Sequence, residues 1–354
     1  MLSLQSNGEI VDRGKESQPP SAQYLFRYSI VRPGDLVVNP MWLPGGGIGV
    51  TQRWGAVSPE YRVYKLSSFI DPRYLHYLLR SRPYLAQYQL LIRAETTFDR
   101  RVTKADFSEL PVLIPPLATQ EAIVNVLDVE TARVDELIAK KLRMINLLLH
   151  RFASRRAQLL LPSFDPLSRG SVVPRGWEGL SLGVLIQLQR GHDLPLEARQ
   201  EGSVPVVSSG GVIDSHREAI ADGPGVITGR YGTVGAVFFV DEPYWPLNTT
   251  LYVADFRGNY PRWVFHLLSA LPLDVDAAKS AVTGINRNVI GQLQVPRPPT
   301  TEQKRLASEL DRTLDSTERL VDHLTHQVAL LRERRQALIT VVVTGRVEVP
   351  EVAA

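Results

Sequence analysis

The sequence predicts an α+β fold: two globular α/β domains separated by two long helices, which pair as an antiparallel intramolecular coiled coil about an approximate two-fold axis. Three observations lead there. The 354-residue chain repeats itself at long period. Each copy ends in a long run whose apolar residues are spaced alternately four and three apart, the pattern of a coiled-coil seam. The stretch ahead of each run consists of short β-branched segments broken by Gly and Pro, the pattern of strands and turns.

The repeat is read in Ile114-Pro115-Pro116-Leu117-Ala118-Thr119-Gln120 and again in Pro296-Arg297-Pro298-Pro299-Thr300-Thr301-Glu302-Gln303. The copies hold an offset of 183 residues from Pro115/Pro298 through Gln120/Gln303 to Leu148/Leu331. Upstream, Pro72-Arg73-Tyr74-Leu75-His76-Tyr77-Leu78-Leu79 matches Pro261-Arg262-Trp263-Val264-Phe265-His266-Leu267-Leu268. Ile48-Gly49-Val50 resembles Val234-Gly235-Ala236. A period this long describes duplicated domains and is too large for a solenoid unit.

Taken in order, residues 1–114 form the first domain. Ser29-Ile30-Val31-Arg32-Pro33-Gly34-Asp35-Leu36-Val37-Val38 reads as a Pro-Gly turn feeding a strand, Gly45-Gly46-Gly47 as a turn or bulge, and Tyr61 to Leu66 as a period-two strand. Arg73 to Leu90 reads as one helix or two short ones. Residues 115–161 are the first long helix, with Thr119 placed to cap it. Its seam is Leu127, Thr131, Val134, Ile138, Lys141, Ile145, Leu148 and Phe152, with Lys141 as a polar interruption. Residues 162–174 are a linker. Residues 175–297 form the second domain, with strands at Gly225-Val226-Ile227-Thr228 and Gly235-Ala236-Val237-Phe238-Phe239-Val240. Residues 298–345 are the second long helix, with its seam at Leu310, Leu314, Thr317, Val321, Leu324, Val328, Leu331, Arg335 and Leu338. Residues 346–354 are a C-terminal tail. Arg155-Arg156-Ala157-Gln158-Leu159 recurs as Arg334-Arg335-Gln336-Ala337-Leu338 at an offset of 179. The first helix is therefore expected to carry four extra residues, about one turn.

Composition narrows the function classes. The chain has no cysteine, which excludes a disulfide framework and thiolate metal sites and suits a reducing cytoplasm. The N-terminus lacks a basic segment followed by an apolar run, and no window approaches a membrane span. The net charge of +3 permits nucleic-acid binding without requiring it. No phosphate-cradling Gly-x-x-x-x-Gly-Lys-Ser/Thr loop is present, so the chain is not expected to hydrolyse ATP. Asn39-Pro40-Met41-Trp42 resembles the Asn-Pro-Pro-aromatic motif of amino methyltransferases. Its order relative to Gly45-Gly46-Gly47-Ile48-Gly49 is wrong for a cofactor-binding strand–turn–helix unit, so a hairpin turn is the better reading. His323 and His326 have ligand-compatible helical spacing but no carboxylate to complete a metal site.

These residues together resemble the specificity subunit of type I restriction-modification enzymes. The resemblance rests on Ile114-Pro115-Pro116-Leu117 with Gln120, Arg133-Val134-Asp135-Glu136-Leu137-Ile138, Arg334-Arg335-Gln336-Ala337-Leu338-Ile339, and Trp177 with Leu182-Gly183. It is completed by Thr228-Gly229-Arg230-Tyr231-Gly232-Thr233-Val234-Gly235 with Leu247-Asn248-Thr249-Thr250, and in the first half by Gly34-Asp35-Leu36-Val37-Val38-Asn39 with Val57-Ser58-Pro59-Glu60-Tyr61. It covers nearly the whole chain.

The resemblance implies two target-recognition domains, each reading one half of a bipartite site on double-stranded DNA. The helices would set the spacing and dock DNA methyltransferase (M) subunits, and a separate motor-endonuclease (R) subunit would translocate and cleave. It implies a non-catalytic, cytoplasmic chain with no cofactor of its own, S-adenosylmethionine, ATP and Mg being expected on the partner subunits. One departure is that Trp177-Glu178 with Leu182-Gly183 has no counterpart in the first half, so the first domain is expected to lack its opening strands. The competing expectation is a coiled-coil scaffold without DNA specificity. Polar and basic loop residues are the candidates for DNA contact: Asn39, Ser58, Arg93, Arg100 and Arg101 in the first domain, and Ser208, Ser209, Arg230, Tyr231, Asn286, Arg287 and Asn288 in the second.

Overall fold

The computed structural model describes residues 1–5, 7–14, 22–92, 101–168, 170–274 and 284–347. The elements run β1 (Leu2–Leu4), β2 (Ile10–Asp12), α1 (Ala22–Leu25), β3 (Ser29–Val31), β4 (Leu36–Val38), β5 (Ile48–Val50), β6 (Gly55–Val57), β7 (Arg62–Tyr64), α2 (Pro72–Leu79), α3 (Arg82–Leu90), α4 (Lys104–Ser108) and the long helix α5 (Leu117–Leu160). They continue β8 (Glu178–Ser181), α6 (Leu182–Leu185), β9 (Gln187–Arg190), β10 (Val204–Ser208), β11 (Gly211–His216), β12 (Gly225–Gly229), β13 (Val237–Val240), β14 (Trp245–Pro246), β15 (Thr250–Asp255), α7 (Pro261–Leu268), α8 (Arg287–Ile290), β16 (Gln294–Arg297) and the long helix α9 (Thr300–Val343). The chain divides into two compact units, Met1–Arg143 with Leu324–Ala354, and Met144–His323.

In the first unit β4 is the central strand, flanked antiparallel by β5 and β7. Its Leu-Val-Val run is buried throughout, as expected of a strand covered on both faces. In the second unit β12 takes the same place between β13 and β15, antiparallel to both, and it too is buried along its length. The second unit adds β9 at the far side of β15, a separate β11–β10–β14 sheet, and the β16–β8 pair. Among the described residues the first unit has no strand at residues 112–114, the counterpart of β16.

Each sheet packs on one short helix. Asp71 caps α2 by accepting from the backbone N–H of Arg73 and Tyr74. Tyr74, Leu75 and Leu78 of α2 then bury against Leu36, Val38 and Ile48. In the second unit Trp263, Val264 and Leu267 of α7 pack against Val226, Leu251 and Val253. Residues 73–90 are two helices because α2 stops at Leu79 and Pro83 opens α3 in its first turn.

Both seams run as the heptad spacing requires. Leu127, Thr131, Val134 and Phe152 of α5, and Leu310, Leu324 and Val328 of α9, are buried, and every other seam position is at least half-buried. Within the first unit the Lys141 ammonium donates to the Gln327 side-chain carbonyl, and Arg335 Nε lies 2.9 Å from the Asp135 carboxylate. Within the second, Arg155 Nη2 lies 3.0 Å from Glu309 Oε1. Rising numbers on one helix meet falling numbers on the other, so the pairing is antiparallel. The polar interruption at Lys141 is thus matched by an acceptor.

Two sequence expectations are corrected. Thr119 is not the cap, because α5 already begins at Leu117, directly after Pro115 and Pro116. The expected extra turn in the first helix is absent: both long helices are 44 residues. The Arg-Arg word simply lies closer to the end of α5, while α9 continues through Ile339, Val342 and Val343 into the first unit's core.

The words shared by the two copies have a shared mechanical reason. Gln120 and Gln303 are both fully buried. The Gln120 amide donates to Pro115 O (2.8 Å) and Phe69 O (3.0 Å), and its Oε1 accepts from Asp71 N (2.8 Å). The Gln303 amide donates to Pro298 O (2.9 Å) and Asn259 Oδ1 (3.0 Å), and its Oε1 accepts from Tyr260 N (2.8 Å). Each glutamine therefore ties the first turn of a long helix to the residue that opens the short helix. A second clasp also recurs. Arg73 and the Tyr77 hydroxyl both donate to Asp128, and Arg262 and His266 both contact Asp311.

His266 gives this clasp a pH dependence. Burial pushes its imidazole pKa down to about 4 against the opposing hydrogen bond that its Nε2 donates to Asp311, so the folded unit holds it neutral while the unfolded chain takes up a proton. The stability of the second unit is therefore expected to fall as pH drops from about 6.5 to about 4, by about 3 kcal/mol at the lower end. Urea unfolding of wild type and His266→Gln across that range checks this. The variant should show a flatter profile, and parallel profiles would refute it.

Candidate nucleic-acid interface

In the second unit the turn after β12 is closed by two backbone bonds, Gly229 N to Ala236 O (2.9 Å) and Gly235 N to Gly229 O (3.1 Å). It folds tightly enough that a Cβ on Gly229 would lie 2.0 Å from Thr233 O, which accounts for the glycine there. The Arg230 backbone N–H donates to Thr249 O, and its carbonyl accepts from Ile285 N, both at 2.9 Å. Its guanidinium lies 4.4 Å from the centroid of the Tyr231 ring, a cation–π stack that holds both side chains in place.

Three segments meet around this turn. Ser209 borders Gly232, where an added Cβ would come within 3.1 Å of the Ser209 hydroxyl. Gly284 lies against the Tyr231 ring, with only 2.4 Å left for a Cβ. Immediately after Ile285, the Asn286 side chain caps α8 by accepting from Asn288 N at 3.0 Å. Asn286, Arg287 and Asn288 are all exposed. The structure thus brings Ser208, Ser209, Arg230, Tyr231, Asn286, Arg287 and Asn288 to one end of the second unit. Ser208 uses its hydroxyl within its own turn, donating to Gly211 O and accepting from Gly210 N, both at 3.2 Å. Asn248 donates its amide to the Asp193 carboxylate, a loop-to-loop tie.

The equivalent turn of the first unit follows β4 and spans residues 39–47. Asn39 turns its side chain back to accept from Met41 N at 3.1 Å. Val102 N donates to Pro40 O at 3.2 Å, which brings Arg101 beside this turn. Arg101 pairs with Glu60 at 3.2 Å, and Ser58 Oγ accepts from Glu60 N at 3.4 Å. Asn39, Ser58 and Arg101 therefore gather at one end of the first unit, while Arg93 and Arg100 lie outside the described residues. The same turn exposes Met41 and Trp42, which sequence reasoning did not include among the contact candidates. The available signal was a tryptophan set in a Pro- and Gly-rich turn with no periodic apolar partner.

Arg151, Arg155 and Arg156 gather near the end of α5 and Arg332, Arg334 and Arg335 in the last part of α9, and several of them are structurally engaged. Arg156 donates to Ser269 O at 2.6 Å and stacks on Phe152, Arg155 pairs with Glu309, and Arg335 with Asp135. Arg151, Arg332 and Arg334 are exposed. Among the described residues no cluster of three or more His, Asp or Glu could hold a metal ion, and no helix is long and apolar enough to cross a membrane.

Comparison with known proteins places this geometry. Residues 174–329 match the model of the type I restriction modification DNA specificity domain. No curated protein matches the chain. Among solved structures, one described as the structural basis underlying complex assembly and conformational transition of the type I R-M system is 18% identical. That match covers 97% of this chain and 90% of the other at a TM-score of 0.73, which establishes the shared fold. The HsdS subunit from Thermoanaerobacter tengcongensis matches at 18% identity, 97% and 89% coverage and a TM-score of 0.46. The type I restriction-modification system S subunit from M. genitalium matches at 16% identity, 96% and 93% coverage and a TM-score of 0.42. Residues 174–329 thus resemble a type I restriction modification DNA specificity domain, within a fold that nearly the whole chain shares with a solved structure of a type I R-M system.

Proposed function

We propose that each unit reads one half of a bipartite site on double-stranded DNA, that the paired helices set the gap between the halves, and that the same helices dock methyltransferase subunits. The observation that carries this reading is the recurrence of one hairpin turn in both copies, the first exposing Met41 and Trp42 and the second carrying the half-buried Arg230–Tyr231 stack. The chain itself performs no chemistry. S-adenosylmethionine is held by the methyltransferase subunits, and ATP and Mg by a motor-endonuclease subunit, in the cytoplasm. Large apolar residues left exposed along the helices support docking: Leu137 and Leu142 on the first-unit part of α5, and Met144, Leu147 and Leu149 on the second-unit part. Exposed apolar residues flanking the seam on both sides are the kind of surface at which a partner docks.

The test is selection of duplexes from a random pool by the chain with its methyltransferase partner, followed by titration across salt concentrations. A split motif and a steep salt slope are expected. Binding without sequence preference would instead favour a coiled-coil scaffold. Arg287→Ala is expected to weaken binding to the selected duplex by ~1–3 kcal/mol and to relax one position of the second half-site. Unchanged affinity and motif would remove Arg287 from the reading surface.

A further inference from the structure

The two equivalent turns present opposite chemistry. In the second unit the tip carries the Arg230 guanidinium stacked on Tyr231. In the first the tip is apolar: Met41 is 38% exposed and Trp42 69% exposed. Single exposed apolar residues are common and need no explanation. Trp42 differs in how it is held. Its N–H donates to Asn39 O (3.2 Å), and its carbonyl accepts from both Gly45 N (3.0 Å) and Gly47 N (2.8 Å). The next residue, Leu43, is fully buried in the first unit's core. The backbone is thus anchored on one side of Trp42 while its indole is turned to solvent. Gly46 adopts a left-handed φ of +88°, and a Cβ on Gly47 would lie 2.8 Å from Trp42 O. The close turn therefore depends on both glycines.

The hydrogen-bonding groups of this turn are largely spent. The Asn39 Oδ1 is taken by Met41 N, Pro40 has no N–H and its carbonyl accepts from Val102 N, and the Trp42 carbonyl is doubly used. What the tip offers a ligand is an exposed aromatic face next to Met41, with Arg101, paired to Glu60, one residue from the Val102–Pro40 bond. That set suits a base step, with the ring against the bases and the cation toward phosphate.

We infer that Trp42 is a wedge that stacks at one base step of the first half-site, so that this unit reads DNA deformability where the second reads base edges with charged and amide groups. This rests on the DNA-reading function proposed above. A wedge favours steps that unstack easily, so the first half-site should contain a pyrimidine–purine step at the contacted position.

The experiment uses the full chain with its methyltransferase partner and the duplex selected by wild type, with 2-aminopurine substituted in turn at each first-half position. Wild type should raise fluorescence at one step. Trp42→Ala should abolish that rise, lower affinity about ten-fold, and lose the pyrimidine–purine preference while keeping the second half-site. Trp42→Phe should retain most of the signal. An exposed side chain makes the Ala variant safe for folding, and a thermal melt matching wild type verifies this. If wild type selects a split motif and Trp42→Ala selects the same motif within two-fold in affinity, the wedge is refuted while the DNA-reading function stands. If wild type selects no duplex, both fall.

Discussion

Gln303→Leu is expected to destabilise the second unit by about 3 kcal/mol. The replacement fills nearly the same volume but leaves Tyr260 N and Pro298 O without the partners they have at 2.8 and 2.9 Å, while Asn259 Oδ1 keeps only Arg297 Nε at 3.1 Å. Each buried polar group left unpaired costs roughly 1–3 kcal/mol. The effect on the melting temperature should be about 10 °C for a unit of this size. Gln303→Glu should be at least as damaging, because the buried carboxylate accepts from Tyr260 N but faces the Pro298 and Asn259 oxygens, to which it cannot donate. Gln120→Leu should do the same to the first unit through Asp71 N, Phe69 O and Pro115 O. Denaturant unfolding measures both. A loss below 1 kcal/mol in each would mean that water replaces the amide and that the glutamine is not what joins helix to domain.

Removing one heptad from each long helix, residues 138–144 and 324–330, is expected to move the selected DNA motif. The cuts face each other, take away Lys141 and its acceptor Gln327 together, and leave both seams in step. Seven residues of helix are about 10 Å, or about three base pairs of duplex. Duplex selection with the shortened chain should return the same two half-sites with a gap about three base pairs shorter. An unaltered gap with intact half-sites would mean that the helices do not measure it. A chain shortened in α5 alone should fare worse, because the seams then meet out of register.

Much of this was legible in the sequence because periodic features are redundant. Every seam position from Leu127 to Phe152 and from Leu310 to Leu338 repeats the same signal, so one polar interruption does not obscure it. The paired glutamines were visible as repeated words, although their role required three-dimensional partners drawn from distant loops. The reading surface was less legible for a physical reason. Asn and Ser serve turns and caps by the same hydrogen bonds with which they would read bases. Asn39 and Ser208 turn out to be spent on their own backbones, and the Asn286 side chain accepts from Asn288 N. Trp42 was passed over because a single aromatic in a turn carries no period. The extra turn expected in α5 failed because a shifted word was read as a length difference, when the word only sits four residues earlier in α9, whose last turns bury Ile339, Val342 and Val343.

That last burial has a consequence for synthesis on the ribosome. The first unit draws part of its interior from the last turns of α9, so it stays unfinished until that helix has emerged. The later-made unit, whose residues lie between 144 and 323, has all its parts sooner. Assembly is then expected to complete the later-made unit first, and a stop codon within the last turns of α9 would damage the unit made before it.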